Sequence, residues 1–385
     1  MRRMTKLLLL AATLLQQTPS FGQIGTYFVP PMPYAGREPP GQAVGGASVA
    51  LPALLPTALS NPAAMADLLR PVVAVSVETG RTSLRFREKT THFKADPTFA
   101  EGVLPSYLGI AAPVRLWAAP FVVTASYDGP VLLEFDGAHS AGEVRVETEG
   151  KAKSASLAVA APLSPQLAVG AGVTSWWGTT TWELAHATGS IGRLRQDYGH
   201  LGTHLGMQIR SRHLAAGLVC HMPHPFAEGR GFAQMQWPTE GIVFRQDFPG
   251  AVDFGLAWRE QGRWMVSGGC MLQAGPTFHA RAGSWQWEEK ASGSGRLSFG
   301  GQYHFVLDNV IVPAYIYYGI SRMPKAQGIG TLEFLQMTRS GDDLLVHELT
   351  LGAAAMLTRW SLHLVAQWQR SSFLVHELLE FPPPS

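Results

Sequence analysis

Polar and apolar side chains alternate with a period of two along most of the chain after residue 72. In 201–210 one face carries Leu201, Leu205, Met207 and Ile209, and the other carries His204, Gln208 and Arg210. The pattern recurs in 251–259, 294–305 and 359–368. Successive side chains of a β-strand point to opposite faces, so these runs predict strands with one apolar face.

Short turn-like breaks separate pairs of these runs at intervals of about fifty residues. They lie near Arg115, Pro165, Ser211, Gln261, Asp308 and Thr358. The spacing predicts six β-hairpins. Longer polar or Gly/Pro-rich stretches lie between the hairpins and are predicted as loops: 128–152, 183–200, 223–250, 275–293 and 322–343. A first strand within 72–87 and a last strand at 373–381 bring the predicted count to about fourteen, give or take two, an even number as in outer-membrane barrels.

Composition changes what the apolar faces must contact. The 385 residues are 46% apolar and 15% charged, whereas an ordinary soluble domain carries about 25% charged residues. Residues 1–22 read as a signal peptide, and no later run is long and apolar enough to predict a membrane-spanning helix. An exported chain that meets lipid without such helices is expected to form a closed antiparallel transmembrane β-barrel. This predicts an all-β fold over 72–381, with a short tail at 382–385.

Two further features bear on this choice. Aromatic residues at the predicted strand ends would form interfacial girdles: Trp117, Tyr127, Trp177, Trp258, Trp264, Tyr318, Trp360 and Trp368. The alternative is a soluble secreted sandwich or propeller, since a repeat of about fifty residues can also be a propeller blade. A blade has four strands, whereas each period here supplies two strands and a long stretch, which favours the barrel.

Residues 23–71 do not alternate, and they are rich in Pro and Gly, which predicts a compact irregular segment. The stretch 41–50, GQAVGGASVA, and the later 60–65, SNPAAM, precede the first strand. This arrangement resembles the N-terminus of FadL-type outer-membrane transporters of hydrophobic compounds. It also resembles the opening of PorV/PorQ-type barrels of the type IX secretion system.

The FadL-type resemblance implies a fourteen-stranded barrel plugged by an N-terminal hatch, here 23–71, in the outer membrane of a Gram-negative bacterium. It assigns Gly45, Gly46, Asn61, Pro62 and Ala63 to the hatch. Its substrates would be long-chain fatty acids or hydrocarbons, and its surroundings outer-membrane lipid. The PorV/PorQ-type alternative implies a structural or shuttle role with secretion-system proteins as partners. A third alternative is a barrel with an adhesion or scaffold role.

The chain shows no catalytic, phosphate-binding or zinc motif, so no enzyme activity and no cofactor are predicted. His221 and His224 could begin a metal site, but no third ligand can be named, and no metal is predicted. The formal net charge of +2 excludes a strongly basic nucleic-acid binder. Cys220 and Cys270 fall on alternate strands of the apolar face and are predicted to be free.

The polar face supplies the candidate lumen lining: Trp176, His204, Gln208, Arg210, Asp253, Arg259, Arg263, His304, Arg359 and His363. A polar interior is ordinary for a large barrel, so these groups could simply be solvated or paired. Alternatively, the four arginines near the short turns could attract an acidic head group, contact lipid phosphates or hold the plug. Trp176 could line an apolar path or serve packing.

Overall fold

The computed structural model describes residues 48–51, 60–78, 104–116, 119–132, 135–138, 144–186, 189–235, 237–260, 263–275, 277–282, 285–290, 293–307, 310–323, 344–356 and 361–372. The predicted signal peptide, Gly45, Gly46, Arg359, the predicted last strand 373–381 and the tail 382–385 lie outside these ranges. Among the described residues, no helix has the length and apolar character needed to cross a membrane.

The described residues form one antiparallel sheet and a short 3-10 helix, Pro62–Asp67. The strand segments are β1 Val72–Glu78, β2 Leu104–Leu116, β3 Ala119–Leu132, β4 Phe135–Ala138, β5 Val144–Pro162, β6 Leu167–His186, β7 Gly189–Tyr198, β8 Leu201–Arg210, β9 Leu214–His221, β10 His224–Met235, β11 Trp237–Phe248, β12 Ala251–Glu260, β13 Trp264–Gln273, β14 Thr277–Ala282, β15 Trp285–Lys290, β16 Ser294–Leu307, β17 Val310–Met323, β18 Leu344–Met356 and β19 Ser361–Ser372.

Several of these segments continue one another along a single strand direction. β8 pairs with the first half of β6 and β7 with its second half. In the same way β3 continues into β4, β9 into β10, β11 into β12, β13 into β14, and β15 into β16. Each continuous run pairs with the next along the chain, from β1 to β19. The six predicted hairpins are confirmed by these pairings. Barrel closure and the total of fourteen strands remain predictions.

The two faces of the sheet differ in the way the alternation predicts. Along β8 exposed and buried residues alternate strictly, with Leu205 and Ile209 on the exposed face and His204 and Gln208 on the buried face. β12 repeats this pattern, with exposed Phe254 and buried Asp253. We call the exposed face the outer face and the buried face the inner face. Large apolar side chains therefore cover the outer face of these strands while the polar ones point inward.

The stretches predicted as loops are largely strands, and that prediction is wrong for 128–152, 183–200, 223–250 and 275–293. The structure places β4, β7, β10, β11, β14 and β15 within them. Polar residues occupy both faces in parts of these strands: on β7 Arg195 and Asp197 are exposed while Gln196 is buried. Without an apolar face the period-two signal disappears, although the backbone ladder continues. For 322–343, residues 324–343 lie outside the described ranges.

Glycine or proline marks the joints between the inline segments. Gly199 lies between β7 and β8, Pro223 between β9 and β10, and Pro249 and Gly250 between β11 and β12. Proline cannot donate to the ladder, so it belongs at such interruptions. Each joint separates a portion near the short turns, which we call the short-turn end, from a portion at the long-hairpin end.

Candidate functional site

Residues 48–51 and 60–67, which we call the inner segment, pack against the inner face. Asn61 organises the segment: its Nδ2 donates to the Val49 carbonyl at 2.6 Å and to the Met207 carbonyl at 3.4 Å. Its Oδ1 accepts from the Ala63 amide at 3.0 Å, which caps the 3-10 helix. Pro62 follows at the first helical position, where its missing N–H costs nothing. One fully buried Asn thus joins both parts of the segment to β8.

The inner segment contacts the inner face of the sheet at inward-facing glycines of neighbouring strands, which we call the glycine seat. They are Gly170 on β6, Gly206 on β8, Gly217 on β9 and Gly255 on β12. A Cβ on Gly170 would lie 2.6 Å from the Ala63 nitrogen, and one on Gly206 would lie 2.9 Å from Pro62 Cδ. Such distances are shorter than real Cβ contacts. The absence of side chains therefore lets two backbones meet.

Gln208 on β8 attaches the inner segment to the sheet by side-chain hydrogen bonds. Its Nε2 donates to the carbonyl oxygens of Ala50 at 3.0 Å and Leu51 at 3.2 Å. The side chain is fully buried, so these bonds satisfy backbone acceptors that water does not reach. The Gln208 amide nitrogen carries two N–H groups, so it can bond both carbonyls of this turn at once.

An ion pair joins the end of the inner segment to the short-turn end of β8. Arg210 bonds Asp67 through its guanidinium group, with the Arg210 side chain 10% exposed and that of Asp67 59% exposed. The mostly buried cation is therefore neutralised by a carboxylate that water still reaches. This pair lies two residues beyond Gln208 on the same face of β8.

Above the glycine seat, toward the long-hairpin end, the inner face carries imidazole and carboxylate groups. His204 and His221 are cross-strand partners with ring centroids 5.7 Å apart. His221 Nε2 lies 3.4 Å from Asp253 Oδ2, and all three residues are buried. Among the described residues no group of three or more His, Cys, Asp or Glu side chains is arranged to hold a metal ion.

Aromatic and sulfur-containing side chains form the next layer. Trp176, Tyr198, Phe248 and Met271 cluster with Ala251, and all are buried. Beside them the His224 ring stacks on Phe248, with centroids 5.4 Å apart. Trp176 is six residues beyond Gly170 on β6, about 20 Å along the strand. The inner face therefore carries the inner segment and then the polar group, beside which Met271 and Ala251 lie as cross-strand partners of Asp253 and His221. The rings of Trp176, Tyr198 and Phe248 complete the aromatic layer.

Solved structures of hydrocarbon channels share this architecture. The toluene transporter TodX of Pseudomonas putida aligns with a TM-score of 0.50 at 13% identity, covering 88% of this chain and 95% of its own. A TodX monoaromatic hydrocarbon channel mutant aligns with a TM-score of 0.51 at 12% identity, covering 89% of this chain and 99% of its own. The fold is that of TodX.

TodX is a FadL-family hydrocarbon channel, so the fold expected from the resemblance in 41–65 is confirmed at the level of architecture. The likeness spans most of both chains, whereas the sequence motif covers a short N-terminal stretch. No family model matches this chain. No curated protein matches it either. The structural neighbours are transporters or channels rather than enzymes.

The structure distributes the predicted lining residues unevenly. Asn61, Pro62 and Ala63 are buried in the inner segment, and Gln208 and Arg210 contact that segment. Trp176, His204 and Asp253 occupy the layers above it. Of the remaining described candidates, Arg259 and Arg263 are exposed at the short-turn end, and the charge of Arg259 acts on Arg210. His304 and His363 are half-buried on other strands.

Some important residues were missed from the sequence. The inward position of the four seat glycines could be predicted from the period-two alternation. The segment that packs against them could not be predicted from the neighbouring sequence. The inward register of Arg296 is also predictable, but its partner Glu348 is not: Arg296 Nη2 donates to both Glu348 carboxylate oxygens, at 3.1 and 3.0 Å. They are distant in sequence and lie on non-adjacent strands β16 and β18. The predicted free cysteines are Cys220 and Cys270, and both are free.

Proposed function

We propose that this protein is a closed outer-membrane barrel of about fourteen strands that admits hydrophobic small molecules past the inner segment. Long-chain fatty acids and aromatic hydrocarbons are the substrate classes. The proposed boundaries are the plug at 23–71 and the barrel over 72–381. The observation that carries the proposal is a buried inner segment seated on the polar face of a sheet whose opposite face is apolar.

The outer face supports insertion in lipid. Exposed Leu, Val, Ile, Phe and Trp side chains recur on strand after strand, and a soluble protein rarely exposes contiguous apolar surface of that extent. Antiparallel pairing satisfies the backbone within the sheet, and closure of the barrel would leave no edge in hydrocarbon. The fold of TodX, itself a toluene transporter, agrees with the same environment.

The layered inner face supports passage of apolar solutes. An aromatic solute arriving from the long-hairpin end would meet Trp176, Tyr198 and Phe248, whose ring faces favour offset or edge contacts. Met271 adds a soft, adaptable surface. Removing apolar area from water gains roughly 25 cal/mol per Å², so the layer would concentrate such a solute. The inner segment must then move from its glycine seat to release it toward the short-turn end.

An uptake assay tests this proposal. Gram-negative cells whose outer leaflet carries lipopolysaccharide should take up radiolabelled toluene and oleate faster when they contain the full chain than when they lack it, whereas uptake of labelled glucose should not change. Trp176→Ala should lower toluene entry several-fold, since it removes the largest ring of the layer. Tyr318→Ala, on a different strand and outside this cluster, is the matched control. Equal entry with and without the protein refutes the transport function.

A further inference from the structure

The outer face changes character sharply at the joint near Gly199. Below it, Leu201 and Leu205 are exposed apolar residues, and above it Asp197, Arg195 and Arg193 are exposed on the same face. Trp177, exposed beside the Gly178–Tyr198 pair, packs on Tyr127 with ring centroids 6.1 Å apart. Such aromatic pairs mark the boundary between hydrocarbon and head groups. The charged rows above the joint therefore lie at and beyond head-group level.

Three neighbouring strands place arginines on this part of the outer face. Arg195 on β7 and Arg230 on β10 are directly opposed across the ladder, and both are exposed. Side chains so placed have Cβ atoms about 5 Å apart, and like charges there repel. An anion between the two guanidinium groups would relieve the repulsion.

Two of the arginines are oriented in the same way. Arg195 Nε lies 3.0 Å from Asp197 Oδ1, and Arg245 Nε lies 2.9 Å from Asp247 Oδ1. Each carboxylate two residues along the strand engages Nε, and so leaves the terminal nitrogens for a further acceptor. Arg230 lies on the strand between them. Glu228 lies opposite Asp197 and Arg245, and Glu183 is the cross-strand partner of Arg193. These carboxylates offset the flanking arginines, whereas Arg195 and Arg230 have each other as cross-strand partners.

The height of this pair fits a lipid phosphate. Arg195 is four residues from Gly199, about 13 Å along a strand and about 10 Å along the membrane normal for a strand tilted by roughly 40°. The head-group layer of a bilayer leaflet is about 5–8 Å deep. The backbone at Arg195 thus lies about 2–5 Å beyond that layer, and the long arginine side chain can extend back into it, where the phosphates on the sugar backbone of an outer-leaflet glycolipid would lie.

We propose that Arg195 and Arg230, flanked by Arg193 and Arg245, bind the phosphate of a phosphorylated glycolipid head group in the outer leaflet. Guanidinium groups bind phosphate oxygens through paired, charge-assisted hydrogen bonds. The glycolipid would hold the long-hairpin extensions upright beside the membrane. The inference rests on the proposed outer-membrane location but not on transport.

Native mass spectrometry of the full chain in phosphatidylcholine nanodiscs containing diphosphoryl lipid A tests the proposal. The wild-type protein should retain lipid A when it is released from the disc. Arg195→Gln/Arg230→Gln should weaken retention about tenfold or more, because two charge-assisted contacts are lost. The matched control Arg115→Gln/Arg212→Gln removes two exposed arginines at the short-turn end and should retain lipid A as the wild type does.

Further lipids and variants test whether binding requires the phosphate groups and whether it requires the lipid. Dephosphorylated lipid A should not be retained, and Arg195→Lys/Arg230→Lys, which keeps the charge, should retain more than the Gln variant. Equal retention by wild type and Gln variant overturns the proposal, as does equal retention of dephosphorylated lipid. Tight binding of inorganic phosphate without lipid A overturns the lipid source. A chain that carries toluene but retains no lipid A refutes this inference alone, whereas failure to insert refutes both.

Discussion

Gly217 lies directly against the backbone of Val49, so that a Cβ on Gly217 would come 2.6 Å from the Val49 carbonyl carbon. We therefore expect Gly217→Ala to displace residues 48–51 from the wall, because overpacking of this kind costs about 1–3 kcal/mol. Hydrogen exchange of the amides in 48–51, measured by mass spectrometry in detergent, should become about tenfold faster or more.

The matched control for this prediction is Gly295→Ala on the same sheet. A Cβ there lies 3.5 Å from the Met271 carbonyl oxygen and 3.7 Å from Leu272 Cδ2, which is ordinary contact. This variant should leave exchange in 48–51 unchanged. If Gly217→Ala also exchanges at the wild-type rate, the inner segment does not depend on the glycine seat.

Gln208→Leu tests the polar attachment of the same turn. The substitution removes both hydrogen bonds from Gln208 Nε2 to the Ala50 and Leu51 carbonyls and leaves two buried acceptors without this donor, at a cost of about 1–3 kcal/mol. Exchange in 48–51 should accelerate. If the inner segment blocks passage as proposed, toluene entry should also rise, since the segment leaves the glycine seat more often. Gln302→Leu is the control, because Gln302 bonds His304 and Met265 instead. Unchanged exchange in Gln208→Leu contradicts the prediction.

The period-two alternation was sufficient to predict the parts of the strands near the short turns, because there one face is apolar and the other is polar. The sequence alone predicts that Leu205 and His204 lie on opposite faces of β8, without knowledge of the neighbouring strands. It fails for β7, where Arg195 and Gln196 lie on opposite faces and both are polar. The inner face of this region is identified by the aromatic layer, whose residues come from strands that are far apart in the sequence.

The site itself was predictable only in part. The inward parity of Gln208 and Arg210 follows from the strand pattern, and the Asn-Pro pair at 61–62 signals a helix start. The residues that these side chains contact cannot be predicted from the sequence. Asn61 reaches Met207 across 146 residues of sequence, and the seat glycines acquire meaning only when the inner segment occupies the space above them.

The Asp67–Arg210 pair should contribute modestly to seating. Asp67 is more than half exposed, so we expect a coupling of at most about 1 kcal/mol in a double-mutant cycle of Asp67→Asn and Arg210→Gln. The readout is the exchange rate of amides in 60–67. The coupling should shrink as salt is raised from 0.05 to about 0.5 M, because screening shortens the reach of an exposed charge. Additive single effects at low salt would show that the pair does not hold the segment.

A charge on the outer face distinguishes a lipid-facing wall from a solvent-facing one. Phe254, exposed on β12, lies in the apolar band, and Phe254→Arg should lower the free energy of unfolding in lipid vesicles by about 2–4 kcal/mol. Thr179→Arg places the same charge on the outer face at the long-hairpin end, opposite Asp197, and should change it by less than about 0.5 kcal/mol. Urea titration of both variants, followed by tryptophan fluorescence, measures the difference. Equal and small effects would mean that Phe254 faces water, and the membrane location would then fail.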